Sequence, residues 1–234
     1  MRIASLIAAA LVMSLGSGAY AAEQRPPTWD GLVEVKPEKL QVAYLLPGAD
    51  FRPYTKIMID RTEVAFRKDW VKDINDTRGA ARRVTDADVA EVVAAVRTKV
   101  DDIFQESFTK AGYAAATAPA TDTLQVSIGV LNLYVNAIDP INTGGSPVIT
   151  AEAGEATLVI ELRDSLTGAL LGRVLDRRVA EHMGDKPQVS TRISNKQDFR
   201  ELCRLWADFA TGGLGRLKSI SPLPAELQPG QKLK

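Results

Sequence analysis

Residues 123–135, T-L-Q-V-S-I-G-V-L-N-L-Y-V, decide the fold. Leu124, Val126, Ile128 and Val130 alternate with Thr123, Gln125, Ser127 and Gly129. Period-2 alternation puts the apolar set on one side of a strand and the polar set on the other. The stretch therefore reads as a strand whose sheet is covered on one face. Beyond Leu131 the apolar set moves to Leu133 and Val135. A one-residue slip exchanges the faces, so a bulge is expected near Gly129 to Leu131.

Its companions lie on either side. Ala156, Leu158, Ile160 and Leu162 alternate in the same way. Asp164-Ser165-Leu166-Thr167-Gly168 is a hairpin-length loop with Gly at its end, and Leu170 to Val179 returns as the partner strand. Upstream, Leu32 to Val35, Val42 to Leu46 and Lys56 to Asp60 are short strand candidates, the second ending at the Pro47-Gly48 turn signal. Thr62 to Phe66 extends the third after a kink.

Two stretches carry helical periodicity. Thr85 and Asp88 resemble a capping box. Val89, Val92, Val93, Val96, Val100, Ile103, Phe104 and Phe108 follow as one stripe, and Gly112 supplies the stop. So many valines lower intrinsic helix propensity, so this stripe needs an apolar surface to pack on. The second helix is expected to start near Ser194, with Gln197 completing its cap. Phe199, Leu202, Cys203, Trp206, Phe209 and Ala210 form its stripe, and Gly212-Gly213 is expected to end or weaken it. The expected fold is α+β: a single domain with a mixed, mainly antiparallel sheet and two long amphipathic helices packed on one face.

The ends of the chain have their own character. Arg2 precedes an apolar run from Ile3 to Leu15, then Gly16, Ser17 and Gly18, then Ala19-Tyr20-Ala21. This is the pattern of a secretory signal peptide cleaved after Ala21. The run is shorter than the roughly 20 apolar residues that span a bilayer. No lipobox Cys follows it, and no transmembrane segment is expected in the mature chain. The expected organisation is a signal peptide over 1–21, an extended leader over 22–28, one domain over 29–218 and a Pro-rich disordered tail over 219–234. The location read from this is the periplasm or the medium.

Composition removes several function classes. Lys+Arg and Asp+Glu both number 29, so no basic excess points to nucleic acid. One His and one Cys exclude an internal disulfide and most familiar metal sites, and no metal or cofactor is expected. His182, just past a strand, is the imidazole a hydrolase would need; no Gly-x-Ser-x-Gly elbow accompanies it. Cys203 lies on an apolar stripe and reads as a small hydrophobe. The run from Asp73 to Arg78 begins like a calcium loop, but Arg78 stands where the loop needs Gly. Asp176 and Arg178 share one face of their strand and read as an ion-pair ladder.

Several landmarks occur in order: Trp29-Asp30-Gly31-Leu32, Leu46-Pro47-Gly48-Ala49-Asp50, and Tyr54 before Ile57-Met58-Ile59-Asp60. Glu63-Val64-Ala65-Phe66, Lys110-Ala111-Gly112-Tyr113 and Asp176-Arg177-Arg178 follow. The series resembles the bacterial envelope family called domain of unknown function 3313. The resemblance implies a secreted protein and transfers no activity and no catalytic residue. Many members look like lipoproteins; this sequence lacks the Cys for that.

Two surfaces are candidates for binding. One is the charged segment from Arg67 to Val84, with Trp70 as aromatic anchor and Arg67, Lys68, Arg82 and Arg83 around it. The other is the long stretch from Asn136 to Gly154. The function expected is that of a secreted, soluble, non-catalytic envelope accessory protein whose partner is an envelope protein or peptidoglycan. The alternatives are a small-ligand carrier with a pocket between helices and sheet, and a hydrolase using His182.

Overall fold

The computed structural model describes residues 25–76, 83–135, 149–150, 152–181, 188–189 and 192–233. In chain order the elements are β1 (Thr28–Trp29), β2 (Leu32–Val35), β3 (Val42–Leu45), β4 (Lys56–Ile59), β5 (Glu63–Phe66), α1 (Trp70–Asp76) and α2 (Asp86–Lys110). Then come β6 (Ala114–Ala115), β7 (Thr123–Val135), β8 (Ile149–Thr150), β9 (Glu152–Asp164), β10 (Leu170–Glu181), β11 (Gln188–Val189) and α3 (Arg192–Ile220).

The fold is α+β with a mixed sheet. Its strands run in the order β1-β2-β3-β10-β9-β7-β4-β6, and β5 also pairs β7. The antiparallel centre is β3, β10, β9 and β7, while β4 and β5 join β7 in parallel. The β9–β10 hairpin closes through Asp164 to Gly168, and Gly168 takes a φ of 70°, which suits a residue without a Cβ. The kink between β4 and β5 lets one segment follow β7 on both sides of Ser127.

Alternation along β7 and β9 sorts the faces. Leu124, Val126, Ile128 and Val130 of β7 and Ala156, Leu158, Ile160 and Leu162 of β9 are buried in one cluster. Val100, Ile103, Phe104 and Phe108 of α2 and Leu202, Cys203, Trp206, Ala207 and Leu214 of α3 join it. The Thr85–Asp88 capping box is present in full, so the start of α2 is set locally.

Four expectations need correction. The register shift of β7 falls between Leu131 and Tyr134, beyond the expected position, because Gly129 stays opposite Val159 while Asn132 adopts a φ of 52°. Asn tolerates that left-handed conformation better than most residues. α3 begins at Arg192 and runs through Gly212-Gly213 to Ile220. Leu214 is buried and Leu217 packs on the core, and this packing outweighs the helix penalty of about 1 kcal/mol per glycine. Residues 219–233 are not a disordered tail. Leu223 and Leu227 are buried in the main core, and Gly48 N–H donates to Pro224 O while Leu223 N–H donates to Ala49 O. Gly230 N–H and Lys36 N–H close the outer edge of β2 through Glu34 O and Gln231 O. Proline stops a helix without preventing an extended segment from packing. The leader, finally, is already part of the domain at Arg25–Thr28: Pro26 O accepts from the Tyr44 hydroxyl and Pro27 O from Glu34 N–H.

Candidate functional site

The other sheet face has a different composition. Its apolar part is a small cluster of Leu32, Val42 and Tyr44, with Trp29, Leu46, Leu170 and Leu175 packed against it. Among the described residues, no helix residue takes part in that cluster. Beside it runs a polar row set by strand register. Glu34 of β2 pairs with Tyr44 of β3, Tyr44 with Arg173 of β10, Arg173 with Glu161 of β9, and Glu161 with Ser127 of β7. The Ser127 hydroxyl then donates to Asp60 at 2.6 Å, and the Gln125 amide donates to the same carboxylate at 2.9 and 3.0 Å.

Arg173 is the centre of the row and is only 7% exposed. Its Nε and Nη2 donate to Glu161 Oε1 at 2.9 and 2.7 Å. Nη2 also donates to Asp30 Oδ2 at 2.9 Å. The indole of Trp29 covers the guanidinium at 4.0 Å and meets the Tyr44 ring edge-on. Glu161, 6% exposed, is shared: its Oε2 accepts from Arg163 Nε and Nη2 at 3.3 and 2.8 Å. Arg173 Nη1 is buried and has no hydrogen-bond partner. An orphaned buried donor costs about 1–3 kcal/mol. A buried ion pair is itself weak support for stability, since apolar replacements often do as well. Folding alone therefore gives little reason for this arrangement.

The residues expected to bind partners behave differently. Trp70 is 1% exposed and stacks on Phe66 at 4.0 Å, in a small core with Ile74 and Val84. It is a core residue and not a surface anchor: Trp70 and Ile74, one turn apart on α1, face the same way and pack on Phe66 of β5. Arg67 is tied to Asp73 at 2.9 Å and lies over the Tyr134 ring. Lys68 and Arg83 are exposed. Arg82, His182 and residues 136–148 lie outside the described residues, as do residues 1–24, where the signal peptide is expected.

Cys203 is fully buried, and burial pushes its thiol up to about 12, which makes it inert. Asp176 and Arg178 do share a face, and they pair with each other at 2.7 Å. Between the C-terminal end of α2 and the last turns of α3 lies an open cleft of about 460 Å³, bordered by Tyr113, Gly215 and Lys218. Lys218 is committed there to Tyr54 O at 2.7 Å. This cleft sits at the helix ends rather than between helices and sheet. Among the described residues, no group of three His, Cys, Asp or Glu could hold a metal ion, and no helix is long and apolar enough to cross a membrane.

The family of the chain follows from comparison with known proteins. The model of the family described as "Protein of unknown function (DUF3313)" matches residues 28–209. The chain belongs to this family. The matched span of this DUF3313 protein opens at β1 and takes in every element of the row around Arg173. No protein with a curated description matches it. Among solved structures it is similar to the PelC dodecamer from Paraburkholderia phytofirmans, at 9% identity and a TM-score of 0.36, covering 71% of this chain and 95% of that one. It is also similar to protein XCC0632 from Xanthomonas campestris, at 12% identity and a TM-score of 0.36, covering 73% and 90%. Likeness at that level carries no functional argument.

The sequence reading missed Arg173. The signal was available: an Arg inside one strand of a hairpin lies opposite a Glu inside the other, twelve positions away across the turn. What the sequence does not show is that Trp29 and Asp30 fold back over that pair.

Proposed function

We propose that this protein is an exported, non-catalytic accessory protein of the bacterial cell envelope that acts by protein or cell-wall contacts through the sheet face opposite its helices. On this reading residues 1–21 direct export and are removed. The two long amphipathic helices form the scaffold of the covered face, and the opposite face meets the partner. The observation that carries the reading is Arg173, a buried guanidinium with an unused donor, held beside an apolar cluster that contains no described helix residue. Buried polar groups are normally satisfied, so an exception calls for a specific explanation. The full burial of Cys203 adds support, since it removes the one thiol from surface chemistry.

The test is photo-crosslinking in intact cells. A photoreactive residue at Leu131 or Thr157, neighbours on the outer face, is compared with one at Glu201, exposed on α3. Both outer-face positions should yield the same adduct, identified by mass spectrometry as one envelope protein or a cell-wall fragment. Adducts identical to those from Glu201, or none, would discard the proposal.

A further inference from the structure

The distal edge of the Arg173 guanidinium, Nη1 and Nη2, is a two-pronged donor of the kind that matches a carboxylate. In the structure only one prong is used. Nη2 holds Asp30 Oδ2 at 2.9 Å, and Nη1 has no partner although Arg173 is nine-tenths buried. Asp30 is thus a one-handed occupant of a two-handed site. We propose that this edge is a recognition site for a partner's carboxylate, and that Asp30 fills it in cis as an autoinhibitory stand-in until that carboxylate replaces it.

The surroundings fit an exchange of one carboxylate for another. Glu161 holds the opposite edge through Nε and Nη2 and fixes the plane of the guanidinium. Trp29 covers the ring-like face, which leaves in-plane hydrogen bonding as the mode of recognition. Arg173 and Arg163 balance Glu161 and Asp30 in charge. Withdrawing Asp30 leaves one net positive charge, which an incoming carboxylate restores to zero.

Asp30 is also built to leave. Its side chain is 56% exposed, and half-exposed ion pairs contribute little. Asp30 and Gly31, at φ +53° and +81°, are the two-residue turn between paired Trp29 and Leu32, a backbone that Asp-Gly favours, so the carboxylate can leave by side-chain rotation alone. The segment carrying it pairs with β2 through only Thr28 and Trp29. Two further tethers, Pro26 O to the Tyr44 hydroxyl and Pro27 O to Glu34 N–H, lie upstream of this turn. The Asp30 side chain can therefore rotate away while the hairpin and the strap stay in place. The source favoured is one carboxylate side chain of an extended peptide, since the row beside Arg173 runs across several strands and its own carboxylates, Glu34, Glu161 and Asp60, leave a place for a single further charge.

This inference rests on the outer face being the binding face, and its test is separate from the crosslinking. The mature chain is titrated at low ionic strength into a fluorescein-labelled, C-terminally amidated nonapeptide of Ser and Gly with one central Asp residue, and binding is read by anisotropy. Asp30→Gly removes the stand-in and suits the positive φ. It should tighten binding about tenfold or more over the native chain, a change of about 1.4 kcal/mol. The same peptide with Asn for Asp should not bind. Arg173→Lys, placed in the Asp30→Gly background, keeps the charge, loses the fork and should abolish binding. Displacement by free succinate at equal carboxylate concentration assigns the site to small carboxylates; resistance assigns it to peptides. Equal affinity of native and Asp30→Gly chains, equal binding of the Asn peptide, or no binding by either chain overturns the proposal. The Asn peptide keeps the test decisive if Arg173→Lys fails to fold. A positive crosslink with a negative titration would leave the outer face as an interface of other chemistry.

Discussion

Trp206 of α3 donates its indole N–H to Asp176 Oδ2 of β10 at 2.8 Å, inside the core. Asp176 is fully buried and also accepts from Gln41 N–H at 2.9 Å and Arg178 Nε at 2.7 Å. One carboxylate thereby ties the last helix, the start of β3 and the central hairpin together. Removing it leaves a buried indole N–H and a guanidinium without their acceptor. Asp176→Ala should cost about 2–3 kcal/mol, chiefly for the buried indole N–H left without an acceptor, since Arg178 is one-third exposed and keeps water. Trp206→Phe, which leaves the carboxylate two donors, should cost less. Urea denaturation measures both; a loss under about 1 kcal/mol for Asp176→Ala would refute this role.

The segment after α3 contributes to stability. Truncation before Pro222 removes the buried side chains of Leu223 and Leu227 and the hydrogen bonds that close β2. Each buried leucine is worth about 1.5–3 kcal/mol, so the shortened chain should lose roughly 3–6 kcal/mol. Its denaturation midpoint against that of the full chain decides the point. An unchanged midpoint would mean that these contacts add nothing.

The β9–β10 turn makes stability depend on pH. Asp164 Oδ1 accepts from Thr167 N–H, the Thr167 hydroxyl and Leu166 N–H, and Oδ2 accepts from the Tyr54 hydroxyl. The Thr167 backbone N–H is the largest cause holding this carboxyl below its ordinary value, and partial burial opposes it. Burial, then Asp164, pushes the Tyr54 hydroxyl up. A carboxylate depressed by folding contributes fully above its unfolded value of about 3.9 and loses that contribution as pH falls through the folded value. The melting temperature of the native chain should therefore exceed that of Asp164→Asn at pH 7, and the gap should begin to narrow below about pH 4 and shrink further as the pH falls. A gap independent of pH would show that the charge of Asp164 is irrelevant.

Cys203 gives a probe of global opening. With its thiol buried and pushed up to about 12, almost none is thiolate at pH 8. A disulfide reagent should react with the folded chain far more slowly than with the chain in urea. The folded rate should rise when Asp176→Ala weakens the same helix. Fast labelling of the native chain would place the thiol at the surface.

Much of the fold is legible residue by residue. The alternation of Leu124 to Val130 and of Ala156 to Leu162 fixes two strands and their buried faces, because a strand's period does not depend on its neighbours. The Thr85–Asp88 box fixes the start of α2 for the same local reason. The site is less legible. Trp70, prominent in a charged segment, turns inward because the stripe it belongs to is apolar. Arg173 looks like an ordinary solvent-facing residue of a hairpin until Trp29 and Asp30 come to lie on it.

The sequence by itself determined the long strands β7, β9 and β10, the short strands β2 to β5, the bodies of α2 and α3, where α2 is capped, and which side of β7 and β9 is greasy. All of these follow from spacing along the chain and from groups within a few residues of one another. Only the tertiary structure decided that Asp30 reaches Arg173 across 143 positions, that Trp206 finds Asp176, and that a proline-rich end packs as core. Those contacts join distant parts of the chain, and no local period encodes them: they exist because closing the sheet brings their backbones together.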